Sequence, residues 1–133
     1  MTESKSLRIR STNSDAAIEF SNVDGEDFFV AVSAADHSAR RQVWAYTDGR
    51  GIARIFSEAA TEWRGWEGKK TWQSLEGEFR LDLSSDKLGH VTLSARLSSN
   101  GGTADGWLLQ ADISIDAGQL DSIARNANDL WPV

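Results

Sequence analysis

The sequence predicts an α+β fold, an antiparallel sheet of about six to eight strands with two helices packed against it. Two observations lead to this prediction. Apolar and polar residues alternate with a period of two along most of the chain, and this pattern gives way twice to the period of a helix. The strand-like segments are joined by short turn signals such as Asp24-Gly25, which favour hairpins over the helical crossovers of a parallel sheet.

Four strand-like segments precede the first helix, and they are 7–10, 16–21, 27–35 and 41–46. In the first two, apolar residues alternate with polar ones. The third and fourth carry apolar or aromatic residues on both faces, which is typical of a buried strand. The aromatic residues of the fourth segment, Trp44 and Tyr46, are therefore predicted to be buried.

The first helix is predicted over about residues 49–64. Apolar residues recur there at helical spacing, on one stripe, and they are Ile52, Ile55, Phe56, Ala59, Ala60 and Trp63. Asp48 is the expected N-cap, because a carboxylate can accept hydrogen bonds from the free N–H groups of the first turn. Gly65 is the expected stop, which places Trp63 on the buried face of the last turn.

Alternation then returns in three further segments, which are 79–83, 91–97 and 107–115. The expected turns between them are 84–89 and 100–102. One face of these strands is polar, which predicts that one face of the sheet meets water. A second helix is predicted over about 117–130, with Asp116 and Gln119 as a capping-box pair and Pro132 closing it. No internal repeat is found.

Length and composition predict a single domain over residues 1–133. The chain has no cysteine, no apolar run long enough to span a membrane, and an N-terminus unlike a secretion signal. A cytoplasmic protein is therefore expected, with no membrane contact. The net charge of −6 argues against nucleic-acid binding, which needs a basic face, but it permits a basic protein partner.

Motifs that would indicate catalysis, a metal or a cofactor are missing from the sequence. It has no G-x-S-x-G elbow, P-loop or G-x-G-x-x-G run, and its two histidines are far apart. A non-enzymatic protein without a cofactor is expected. Glu76 and Glu78 could act as acid and base from one side of a strand. The favoured alternative is a solvent-facing strand on which Glu78 shares the polar face with Arg80 and Asp82.

The stretch 62–79 holds three of the six tryptophans, Trp63, Trp66 and Trp72. It is predicted to be a structural crossover from the helix to the next strands. Trp66 lies past the expected helix stop, and an exposed tryptophan there, beside two glutamates, would be an interface anchor with an acidic rim. The candidate partner-binding residues are Trp66, Glu62, Glu67, Asp24, Glu26 and Asp27.

Four motifs in this half of the chain occur in a fixed order: WRGWEG (63–68), WQSLEGE (72–78), GHVTL (89–93) and AGQL (117–120). In this order they resemble the WapI-type bacterial immunity proteins and related small domains of unknown function. The resemblance covers about residues 63–121. It implies a protein that neutralises a cognate toxin domain by direct binding, and an acidic inhibitor would suit a basic nuclease.

Two other functions stay open at this point. One is a small-ligand or protein-binding module with no toxin partner, which predicts an apolar pocket in the sheet. The other is an enzyme, which predicts Glu76 or Glu78 in a cleft. The oligomeric state is not predicted.

Overall fold

The computed structural model describes residues 5–46, 48–99 and 106–132, and it confirms the α+β class. Eight strands form two antiparallel sheets of four strands each, with strand orders β1-β2-β3-β4 and β5-β6-β7-β8. The strand number is at the upper end of the expected range, and the strands divide into two sheets where one was expected. The turn expected at 100–102 lies outside the described residues.

The order of elements repeats: four strands and a helix, twice. The first half contains β1 Ser6–Arg10, β2 Ala17–Asp24, β3 Asp27–Ala34, β4 His37–Trp44 and α1 Gly51–Thr61. The second contains β5 Lys70–Gln73, β6 Phe79–Ser85, β7 His90–Ser98, β8 Leu108–Asp116, a 3₁₀ turn Ala117–Gln119 and α2 Leu120–Leu130. The sequence shows no such repeat, because two meanders need the same alternation of polarity and not the same residues.

The alternation of the second sheet divides its faces as expected. Phe79, Leu81 and Leu83 of β6 are fully buried, whereas Thr71, Asp82, Ser94 and Asp112 form a polar row across the other face. The Thr71 hydroxyl donates to Asp82 at 2.6 Å, and the Ser94 hydroxyl donates to Asp112 at 2.8 Å. The prediction of one polar, solvent-facing side is confirmed.

Helix α1 is shorter than predicted at both ends, and Trp63 is not on its buried face. The side chain of Asp48 does not cap the helix, because both its oxygens accept hydrogen bonds from Arg54 at 3.0 Å. The helix ends at Thr61, and Trp63 is 53% exposed and stacked with Arg64. The apolar periodicity continues one turn beyond the helix, because the spacing of apolar residues does not show where a helix ends.

The second helix begins as a 3₁₀ turn and then continues as α2 within the predicted range. The predicted pair is present, because the Asp116 N–H donates to the Gln119 side-chain oxygen at 2.9 Å. Trp131, directly after the helix, is only 3% exposed.

Five aromatic rings meet where the two sheets and the end of α2 converge. They are Phe20 and Phe28 of the first sheet, Trp72 and Phe79 of the second, and Trp131. Their centroids lie 5.4 to 6.3 Å apart, mostly in edge-to-face geometry, which aromatic pairs prefer. This aromatic cluster joins both halves of the chain in one core.

Gly51, the first residue of α1, lies directly beneath the Trp72 indole. A Cβ built on Gly51 would lie 2.2 Å from the indole nitrogen and 2.5 Å from an Asp48 carboxylate oxygen. Helix α1 can therefore approach β5 this closely only because residue 51 has no side chain.

Replacing Trp72 by alanine is expected to destabilise the fold by about 3–5 kcal/mol, because it removes a buried ring from the aromatic cluster. Urea unfolding of the variant measures this loss. Trp63→Ala is the matched control and should stay within about 0.5 kcal/mol of wild type, because its side chain faces solvent. Equal losses in the two variants would contradict the assignment of core and surface tryptophans.

Gly51→Ala is expected to lower the free energy of unfolding by about 1–3 kcal/mol, because the new methyl group overpacks the contact with Trp72. Gly118→Ala is the control, since a Cβ at Gly118 meets no atom within 4 Å. Thermal unfolding of both variants tests the close approach. A Gly51→Ala protein as stable as the Gly118→Ala protein would show that α1 can move away at no cost.

Candidate partner-binding surface

Trp66 is half-buried and fastens the helix-to-strand crossover to β6. Its backbone N–H donates to the Ser85 hydroxyl at 2.9 Å, and its indole N–H donates to the Leu83 carbonyl at 3.3 Å. The exposed tryptophan of this stretch is therefore Trp63, which was predicted to be buried. Trp66, the predicted candidate for exposure, is the one that packs against the protein.

The two glutamates near Trp66 have different surroundings. Glu62 pairs with Lys70, whose ammonium group lies 5.2 Å from the centre of the Trp66 ring. Glu67 is exposed. The Lys70 ammonium group thus occupies the position beside Trp66 and Glu62 that a basic side chain of a partner would take. This group of residues is therefore poorly suited to bind a basic partner.

The acidic turn between β2 and β3 carries the other three candidate residues. Asp24 and Asp27 pair across the hairpin, and Gly25 takes the positive φ of 62° that the turn requires. Glu26 is exposed, and its carboxylate accepts the indole N–H of Trp44 at 3.2 Å. The turn is therefore tied to an aromatic side chain of β4.

Trp44 and Tyr46 are exposed by 37% and 46%, so the prediction that both are buried is wrong. Their rings pack edge to face with centroids 5.1 Å apart. Strand β4 is the edge of its sheet, and most of its residues are exposed or half-buried. The polar run Arg40–Gln42 before Trp44 was the signal for an edge strand.

The six candidate residues lie in two groups at opposite ends of β6. Trp66 contacts Ser85, the last residue of β6. Trp44 faces Glu78, which directly precedes the first residue of β6. Seven residues of strand span roughly 20 Å. The structure therefore assembles Asp24, Glu26 and Asp27 with Trp44 and Tyr46, and these five residues are called the acidic–aromatic surface below.

Glu78 is buried, with 4% of the residue exposed, which corrects the expectation of a solvent-facing side chain. It precedes β6, where the alternation of that strand does not apply. Its carboxylate accepts the hydroxyl of Ser74 and faces the backbone N–H of Trp44 at 3.5 Å. Glu76 is exposed, so the two glutamates do not share a cleft as an acid–base pair would.

Both histidines lie on the surface. The ring of His90 contacts the Asp86 carboxylate at 2.9 Å, while His37 begins the edge strand β4. Across the described ranges, no three His, Asp or Glu side chains are placed to hold a metal ion together. Neither eleven-residue helix is long and apolar enough to cross a membrane.

Two four-stranded meanders, each followed by a helix, define a two-sheet α+β protein with one shared core and an exposed acidic–aromatic surface. The chain belongs to DUF6228, a family of unknown function whose model matches residues 4–132. No curated protein matches the chain. The family description names no activity, and nothing in these comparisons links the chain to the WapI-type immunity proteins that its motifs resemble.

The turn between β6 and β7 has a carboxylate held in its charged form. Hydrogen bonds from the backbone N–H of His90, from the His90 ring and from the N–H of Leu88 hold the pKa of Asp86 below its ordinary value. A carboxyl whose pKa is lowered by folding stabilises the protein above its unfolded pKa, and this stabilisation disappears as the pH falls through the folded pKa.

Asp86→Asn is therefore expected to be less stable than wild type at pH 7, and this difference should close as the pH falls below about 4. Urea unfolding from pH 7 to pH 3 measures it. Lys87→Gln is the control, because it changes a neighbouring side chain of the same turn that is not acidic. Any difference in free energy of unfolding between Lys87→Gln and wild type should stay the same from pH 7 to pH 3. A constant difference for Asp86→Asn would refute this role.

Proposed function

We propose that this protein is a non-enzymatic binding protein whose acidic–aromatic surface docks a protein partner with a basic face. The observation that carries the proposal is the exposed pair Trp44 and Tyr46, packed ring to ring beside the acidic turn and held by Glu26. Large aromatic residues are enriched among the side chains that contribute most to binding between proteins.

The charge of this surface supports a basic partner. Asp24, Glu26 and Asp27 lie within four residues, and the whole chain carries a net charge of −6. A negative patch on a negative protein attracts a positive partner and speeds its approach, more strongly at low salt. The aromatic pair would then supply apolar contact at the centre, with the carboxylates as its rim.

The partner that we propose is a bacterial toxin domain, which makes the protein an immunity protein. The order of the four motifs between Trp63 and Leu120 and the acidic charge support this, since an acidic inhibitor can cover the basic cleft of a nuclease. The small-ligand alternative needs an apolar pocket in a sheet, but core side chains no more than 8% exposed cover the inner faces of both sheets.

The test is protection against the toxin domain encoded beside the gene of this protein. Co-expression of the two chains should restore growth, and the purified chains should form a one-to-one complex. Trp44→Ala is expected to weaken that complex by about 2 kcal/mol or more, roughly 30-fold in Kd, as measured by calorimetry. The Kd of the wild-type complex should also rise with salt.

Trp63→Ala is the matched control, because Trp63 is an exposed tryptophan at the other end of β6. This substitution should leave the Kd of the complex unchanged. A wild-type protein that neither binds nor protects would refute the immunity role. Binding that survives Trp44→Ala, but is lost in Trp63→Ala, would place the interface at the opposite end of the molecule.

A further inference from the structure

Glu78 joins the two sheets beside the acidic–aromatic surface. One of its carboxylate oxygens accepts the hydroxyl of Ser74, which precedes the turn between β5 and β6. The other lies 3.5 Å from the backbone nitrogen of Trp44, the last residue of β4. Its backbone carbonyl accepts the N–H of Ser98 at 2.9 Å. One residue thus ties an edge strand of the first sheet to two strands of the second.

Burying a carboxyl group costs free energy that a glutamine or an apolar side chain would largely avoid. None of the ion pairs formed by the described residues includes Glu78. Its neighbours are instead a hydroxyl and a backbone N–H. Hydrogen bonds to these two groups offset the cost of burial, and they also fix the positions of Ser74 and Trp44.

Of these two residues, Trp44 is the one that belongs to the acidic–aromatic surface proposed to bind a partner. Its N–H points away from β3 at the edge of β4, where none of the described strands pairs with it. The Glu78 carboxylate provides an acceptor for this N–H. With the backbone held in this way, the indole can meet Glu26 on one side and Tyr46 on the other.

The same carboxylate brings a second apolar residue to this end of the molecule. Leu75, which follows Ser74 in the β5–β6 turn, is 64% exposed. Because Ser74 and Trp44 contact the two oxygens of one carboxylate, the turn that carries Leu75 lies beside the end of β4. An exposed apolar residue of the β5–β6 turn is thereby brought to the same end of the molecule as Trp44.

We propose that Glu78 is the positioning residue of the acidic–aromatic surface, and that this surface extends across both sheets to include Leu75. The surface's use in partner binding rests on the proposed function. The positioning is a property of the free protein, so it can be tested with no partner present and can fail independently.

The experiment is ¹⁹F NMR of the full chain labelled with 5-fluorotryptophan. The sequence has six tryptophans, and the Trp44 signal is assigned by its loss in Trp44→Phe. Glu78→Ala should shift the Trp44 signal by more than its linewidth and leave the signals of the buried Trp72 and Trp131 in place. Glu78→Gln keeps the size and one acceptor oxygen, so it should return the Trp44 signal towards its wild-type position.

Glu76→Ala is the matched control, since it removes an exposed carboxylate two residues away and should move no signal. An unshifted Trp44 signal in folded Glu78→Ala overturns the proposal. Equal shifts of Trp44, Trp72 and Trp131 also overturn it, because they indicate general loosening of the core. If Glu78→Ala does not fold, Ser74→Ala takes its place: a shifted Trp44 signal supports the proposal and an unshifted one overturns it.

Discussion

The aromatic cluster is the contact on which the rest of this structure depends. Each four-stranded sheet has one apolar face, and the described residues of each half of the chain form one sheet only. Phe20 and Phe28 meet Phe79 and Trp72 across the gap, and Trp131 closes the cluster from the end of α2. Two meanders that could not bury their inner faces separately become one core by this contact.

The aromatic cluster also explains why α1 begins with a glycine and why Trp131, directly after α2, is buried. Trp72 takes so much room in the cluster that α1 can begin beside it only with a glycine, Gly51. Trp131 brings the end of α2 into the core, and its backbone carbonyl accepts a hydrogen bond from the Arg50 guanidinium at 2.8 Å. The start of α1 and the end of α2 are thereby tied together, although they are distant in sequence.

The sequence predicted both helices and seven of the eight strands, because alternation and helical period are local properties of the chain. It missed β5, which is only four residues long and lies in the predicted crossover, and it began β4 four residues too late. It did not predict their surroundings. Trp44 and Tyr46 have the pattern of a buried strand, whereas the strand order places β4 at an edge, which only the polar run Arg40–Gln42 indicates in the sequence. Trp63 continues the apolar stripe of α1 beyond the end of the helix at Thr61, and Glu78 is buried by contacts with β4, over thirty residues earlier. For the candidate site, the sequence indicated the acidic turn between β2 and β3 but not Trp44 and Tyr46, which pack beside it.

Exposure alone does not distinguish Trp44 from the other surface tryptophans, since Trp63 is 53% exposed and Trp107 is 43% exposed. The contacts that fix the side chain distinguish Trp44 from Trp63. Trp63 has a stacking contact with its sequence neighbour Arg64. Trp44 is held at its indole nitrogen by Glu26, at its ring by Tyr46 and at its backbone by Glu78. A side chain that is already held in place loses less conformational entropy when a partner binds, so Trp44 is better prepared than Trp63 to contribute to an interface.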